Sequence, residues 1–279
     1  MRFPSLLLRT GFRGTLVAMA LAFAYEGAWA DTFTFTPSAV GLTGAAVTAD
    51  NVLLSNFSNL TYTGATTFSD NGFLSITGFQ LGGSNVTAGG LNSTYSLWFR
   101  FNGTGHLTIG TSSTDPRTAV TAGVFDTLTY SFVGASGNAT FGFSGMTPIV
   151  TPGGATQTLA SGSLLNGNVV TTPANGGIAF VPTAAGTVTF AIASGKEGFF
   201  SPNNPFHDMA FFAFTNAVTT VEPFGTGGPG SGFLTNNGGG NLDFVDSALA
   251  PVPEPSTGIF VGTVLTGLGL LYRRRSRRS

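Results

Sequence analysis

Tyr95-Ser96-Leu97-Trp98-Phe99-Arg100-Phe101 sets Tyr95, Leu97, Phe99 and Phe101 on one side of an extended chain, and Ser96, Trp98 and Arg100 on the other. A period of two is the mark of a β-strand with one face in a core. Working outward, Thr32-Phe33-Thr34-Phe35-Thr36 alternates in the same way, with both rings on one face. Further strands are predicted at Val52–Phe57, Leu60–Thr63, Phe73–Phe79, Thr127–Val133, Ala139–Phe143, Thr156–Leu159, Val169–Thr172, Ile178–Val181, Thr187–Ile192, Met209–Thr215 and Leu242–Val245. Asp70-Asn71-Gly72 reads as a tight turn into Phe73, because Asn-Gly accepts the positive φ of hairpin turns. Asn102-Gly103-Thr104-Gly105 reads as a second turn, with His106–Ile109 as the hairpin partner of Tyr95–Phe101. Phe224–Gly240 is so rich in glycine that it reads as loop. No amphipathic helix of useful length and no fixed-period repeat interrupts the pattern. The expected class is all-β, an antiparallel β-sandwich of jelly-roll or immunoglobulin-like type spanning residues 31–246.

Composition agrees with a packed body. Of 27 phenylalanines, all but Phe3, Phe12, Phe23 and Phe260 fall between the two ends of the chain. A body of roughly 220 residues buries about 70% of its unfolded surface and needs no disulfide. The chain has no cysteine, which removes a thiolate nucleophile and any cysteine-based zinc site. Of eleven basic residues, all but Arg100, Arg117 and Lys196 sit in the terminal segments, whereas every acid except Glu26 lies from Asp31 onward. Residues 31–255 are therefore acidic, with a formal charge of −8. Nucleic-acid binding rests on neutralising phosphates with Lys and Arg, and three scattered cations build no such stripe.

The ends carry addressing signals. Arg2, Arg9 and Arg13 precede an uncharged apolar run and the small-residue site Ala28-Trp29-Ala30, the pattern of a secretory signal peptide over residues 1–30. Residues 247–255 form a tether that ends in Val252-Pro253-Glu254-Pro255. Residues 256–272 hold no charge, and seventeen residues of helix reach about 25 Å, enough for a thin bilayer. Arg273, Arg274, Arg275, Arg277 and Arg278 follow in the segment 273–279 and act as a cytoplasmic stop-transfer cluster. The transmembrane helix thus holds the body outside.

Val252-Pro253-Glu254-Pro255, the apolar span and the arginine cluster together resemble the PEP-CTERM sorting signal of Gram-negative exopolysaccharide producers. That resemblance implies an exosortase as partner, a transient anchor in the inner membrane, and release of the body to the cell surface or extracellular matrix. The body resembles the flocculation-associated PEP-CTERM proteins in four blocks: Asp50–Ser58, Leu91–Phe101, Asn204–Asn216 and Gly238–Phe244. The family implies a role in floc and biofilm formation within exopolysaccharide, and it brings no catalytic residues.

Chemistry in the body is sparse. His106 and His207 show no metal-binding spacing, and ordinary turn or strand-edge histidines are the simpler reading. Asp115, Asp126, Glu197 and Asp208 could form a carboxylate pair only if the fold joined them. Gly225-Thr226-Gly227-Gly228-Pro229-Gly230 matches G-x-G-x-x-G in letters but opens no helix and lies in no βαβ unit. Asp70, Asn71, Asp115, Asn203, Asn204 and Asp208 offer oxygen ligands for Ca2+ without a recognised spacing, so no cofactor is expected. The resulting expectation is a non-enzymatic matrix protein promoting aggregation. A carbohydrate-binding, lectin-like module with Trp98 and Tyr95 as stacking surfaces is the alternative. A matrix-polymer hydrolase is the third reading.

Overall fold

The computed structural model describes residues 32–113, 121–172, 183–195, 198–201, 209–217 and 221–246. The signal segment, the tether and its Pro-Glu-Pro motif, the apolar span and the arginine tail lie outside the described residues, as do Ile178–Val181, Asp115, Glu197, Asn203, Asn204, His207 and Asp208.

The described chain is all-β and antiparallel. In order its strands are β1 (Phe33–Phe35), β2 (Val47–Ala49), β3 (Asn51–Tyr62), β4 (Thr67–Leu81), β5 (Ser84–Val86), β6 (Tyr95–Ile109), β7 (Thr121–Ser136), β8 (Thr140–Ser144) and β9 (Thr147–Thr151). They continue as β10 (Thr156–Thr172), β11 (Thr183–Gly195), β12 (Phe200–Ser201), β13 (Met209–Ala217), β14 (Val221–Phe224) and β15 (Gly232–Asp246). A 3-10 turn, Pro37–Val40, is the one helical piece among the described residues.

The main ladder runs β13-β11-β10-β7-β6-β4-β3-β15, and β15 also pairs with β13. The hydrogen bonds therefore close into a ring of eight strands, each paired with its sequence neighbours in the ring. The antiparallel all-β class is the one the alternation predicts. Jelly rolls and immunoglobulin domains use Greek-key crossings, whereas this ladder is a sequential meander that returns to its start.

Two expected turns are strand, and a third expected loop is strand in its second half. Asp70-Asn71-Gly72 lies inside β4, and Asn102 to Gly105 lies inside β6, which runs unbroken for fifteen residues. The glycines there serve close approach rather than turning: a Cβ on Gly105 would collide with the Phe68 ring and the carbonyl of Val124, and one on Gly103 would stand 2.9 Å from the carbonyl of Thr127. Within Phe224–Gly240 the only turn spans residues 225–230, where Gly225, Gly227, Gly228 and Gly230 all take positive φ; from Gly232 the chain pairs with β3.

Alternation then sorts the side chains. Inward positions carry Val52, Leu54, Leu60, Phe68, Leu74, Phe99, Phe101, Leu128 and Phe132 in one continuous core. Each fully buried side chain of this size contributes about 1.5–3 kcal/mol. The small sheet β12-β1-β2 adds Phe33 and Phe35 to the same core. Phe35 packs on Phe79 and Phe199 with ring centroids 5.3 Å apart in each case, and Phe99 stacks on Phe132 at 4.4 Å. Elsewhere Ser112, 1% exposed, knits loops together: its N–H donates to Ala65, its hydroxyl donates to Gly64, and its carbonyl accepts from Gly228.

The hairpin β8-β9 pairs only with itself and folds back on the outside of the ring. Phe141 is its plug, stacked on Phe57 at 5.5 Å and edge-on to Trp98 at 5.9 Å. A second, smaller apolar cluster of Phe73, Trp98, Ala135 and Ala139 forms beneath it. Ser96 fixes the hairpin base, its hydroxyl donating to Gly137 and accepting from the N–H of Ala139.

Candidate functional site: a neutral polar outer wall

Beside that hairpin, outward positions of four adjacent strands line up in rows. Register places Asn59, Asn71, Asn102 and Thr129 side by side across β3, β4, β6 and β7. The next row is Thr61, Ser69, Thr104 and Thr127. Directly opposed side chains in such a ladder have Cβ atoms roughly 4.5–5.5 Å apart, so amides and hydroxyls form a continuous hydrogen-bonding surface. In these two rows polar side chains face outward, where a membrane barrel presents an apolar band.

Some of these groups satisfy one another. The hydroxyls of Thr104 and Thr127 are 2.8 Å apart, Thr61 donates to Asn59, and the Asn59 amide donates to the carbonyl of Met146 at the hairpin tip. Others are left open to solvent. A groove of about 260 Å³ is lined by Arg100, Phe101 and Asn102 of β6 and by Thr129, Tyr130 and Ser131 of β7. Arg100 and Ser131 are register partners, and the Arg100 guanidinium is exposed with no carboxylate partner among the described residues. Farther along, a β-bulge skips Asp126 in the β6–β7 register and turns its carboxylate outward, where Oδ1 meets Nδ1 of His106 at 2.8 Å. Both side chains are about half exposed, so the pair adds little to stability.

No family model, no curated protein and no solved structure matches this chain. The site is therefore read from its own chemistry. Trp98 is 3% exposed beneath the hairpin, and Tyr95 is fully buried with its hydroxyl unpartnered. Neither ring offers a face to a sugar, which corrects the stacking surface expected for these two residues; the cause is the hairpin over Trp98 and the inward parity of Tyr95. Burial pushes the Tyr95 phenol up to about 12. Asp70 and Asn71 occupy consecutive strand positions and point to opposite faces, so their side chains cannot share one ion. Among the described residues no three of His, Asp and Glu gather as they would around a metal. The G-x-G-x-x-G stretch is the turn between β14 and β15, tied to the body by the N–H of Gly230 donating to Tyr62.

The inner wall holds a polar patch that the sequence reading missed. Asn56, Ser58, Asp70 and Thr235 are all buried at inward positions of β3, β4 and β15. Ser58 pairs in register with both Gly72 and Thr235, which brings Asp70, two residues from Gly72, diagonally close. Desolvation pushes the Asp70 carboxyl up to about 7, against opposing hydrogen bonds from the Ser58 hydroxyl and the Asn71 N–H. One oxygen each of Asp70 and Asn56 lacks a partner. Burial raises the cost of ionising this carboxyl, and the serine beside it donates a hydrogen bond to it. The wall of amides and hydroxyls is the surface suited to a ligand, and what it can do is hydrogen-bond.

Proposed function

We propose that this chain is an exported cell-surface or matrix protein, processed by an exosortase at its tail, whose body promotes cell aggregation within an exopolysaccharide matrix. The observation that carries this reading is the tripartite C-terminal pattern of Val252-Pro253-Glu254-Pro255, an uncharged span and five arginines. A nearly cation-free body supports it, because such a surface has little to offer nucleic acid, while its amides and hydroxyls suit hydroxyl-rich polymers. We read the body as sandwich-like, opposite walls of one ladder facing each other across a shared phenylalanine core. Its outer rows are non-enzymatic recognition surface in this account, with no cofactor.

Deletion of the coding sequence tests the function: loss of floc or biofilm is expected, and unaltered aggregation refutes it. Mass spectrometry of the extracellular form tests the route. A new N-terminus at Asp31 and a C-terminus close to Glu254 are expected, whereas intact Met1 and Ser279 contradict processing.

A carbohydrate-binding module is the second reading, favoured by the open amides and hydroxyls of β4, β6 and β7. On this reading the sugar meets the polar rows, away from Trp98 and Tyr95.

A further inference from the structure

The geometry points to the groove over β6 and β7 as a binding site for a carboxylated sugar, with Arg100 holding the carboxylate and Asn102, Thr129 and Ser131 holding ring hydroxyls. The inference deepens the matrix reading and rests on it for the class of polymer.

Four observations converge. Arg100 is the one cation of the body among the described residues other than histidine, and it stands exposed without a carboxylate partner. A guanidinium presents a planar fork of donors that fits a carboxylate in bidentate fashion, which an amide or hydroxyl cannot do. Its neighbours are not further cations, as a phosphate polymer would need, but Asn102, Thr129 and Ser131, groups that both donate and accept and so match sugar hydroxyls. None of these three side chains has a hydrogen-bond partner within the described residues, so none must be pulled from an existing bond. Beyond the groove the outward row continues from Asn102 through Asn71 to Asn59, while on β4 Arg100 faces Phe73, against which Phe141 of the hairpin packs. An extended polymer therefore has hydrogen-bonding positions on the Asn102 and Ser131 sides of the arginine.

The occupant follows from this mixture. A nucleic acid would need several cations, and an apolar peptide would leave the amides and hydroxyls unpaired. A polymer dense in hydroxyls that also bears carboxylates satisfies both kinds of group.

Isothermal titration of the full chain with an oligogalacturonate, and with the same oligosaccharide after carboxyl reduction, tests this. The acidic sugar is expected to bind about tenfold or more tightly than the reduced one. Arg100→Gln is expected to remove that advantage and leave the two sugars equal, with an unchanged thermal midpoint because Arg100 packs in no core. Asn102→Ala is expected to weaken both sugars alike. Equal affinity of native protein for the two sugars, native affinity in Arg100→Gln, or equally strong binding of a short polyglutamate peptide would each overturn the proposal. Its failure is separable from failure of the matrix reading: aggregation lost on deletion, without discrimination between the two sugars, leaves the matrix role standing and removes this site.

Discussion

Asp70→Asn isolates the cost of a carboxylate inside the ring. The side chain is 9% exposed, and its inward register neighbours, Leu60 on β3 and Gly103 on β6, carry no charge to stabilise an anion. With the folded carboxyl pushed up to about 7, the difference from an unfolded aspartate corresponds to ~4 kcal/mol. The sign follows from proton counting. Between about pH 4 and pH 7 the folded state keeps a proton that the unfolded state has released, so stability falls as pH rises through that window and levels off above it. Asparagine keeps the shape and an acceptor oxygen for the Ser58 hydroxyl and cannot ionise. Urea unfolding followed by circular dichroism at a series of pH values should show the two proteins alike near pH 4. At pH 8 the variant should be ahead by up to ~4 kcal/mol, or about 10 °C in midpoint. A gap that does not change with pH, or a variant less stable at pH 8, would refute the argument that desolvation governs this group.

Two other substitutions probe the packing. Phe141→Ala removes the ring that joins the β8-β9 hairpin to Phe57, Phe73 and Trp98, and should cost about 2 kcal/mol because Phe141 is only partly buried; limited proteolysis should then cut between Ser144 and Thr147, and a hairpin as protected as in the native protein would contradict the plug. Gly105→Ala forces a methyl against the Val124 carbonyl and the Phe68 ring and should lower stability by roughly 1–3 kcal/mol. An unchanged urea midpoint would show that the wall can shift to admit it.

Much of the fold was legible because period two survives in single segments. Phe33 and Phe35, and the inward set Tyr95, Leu97, Phe99 and Phe101, stand where alternation puts them. What misled was punctuation. Asn-Gly and Gly-x-Gly are turn signals only where nothing approaches the backbone, and at Gly103 and Gly105 the partner strand and the Phe68 ring come so near that glycine is the residue that fits. Reading those glycines as turns also split Asn102, Thr104 and His106 away from Trp98 and Arg100, and so hid the outward rows. The rows themselves need register, a relation between strands tens of residues apart, which no single segment contains. Trp98 shows the same limit: its parity marks it as outward, yet nothing near it in sequence announces that Phe141 will cover it. Asp70 reads as a turn residue in the sequence, and its raised pKa depends on how completely the other walls exclude water.

The pairing of β15 with β3 on one flank and β13 on the other has a consequence for association between copies. Sheets commonly accrete by adding a strand to an unfinished border, a growth that is hard to reverse and indifferent to what the side chains are. A cylinder without such a border denies the eight long strands that route. Along those eight strands, contacts between copies would run through side chains rather than backbone, and so would be set residue by residue.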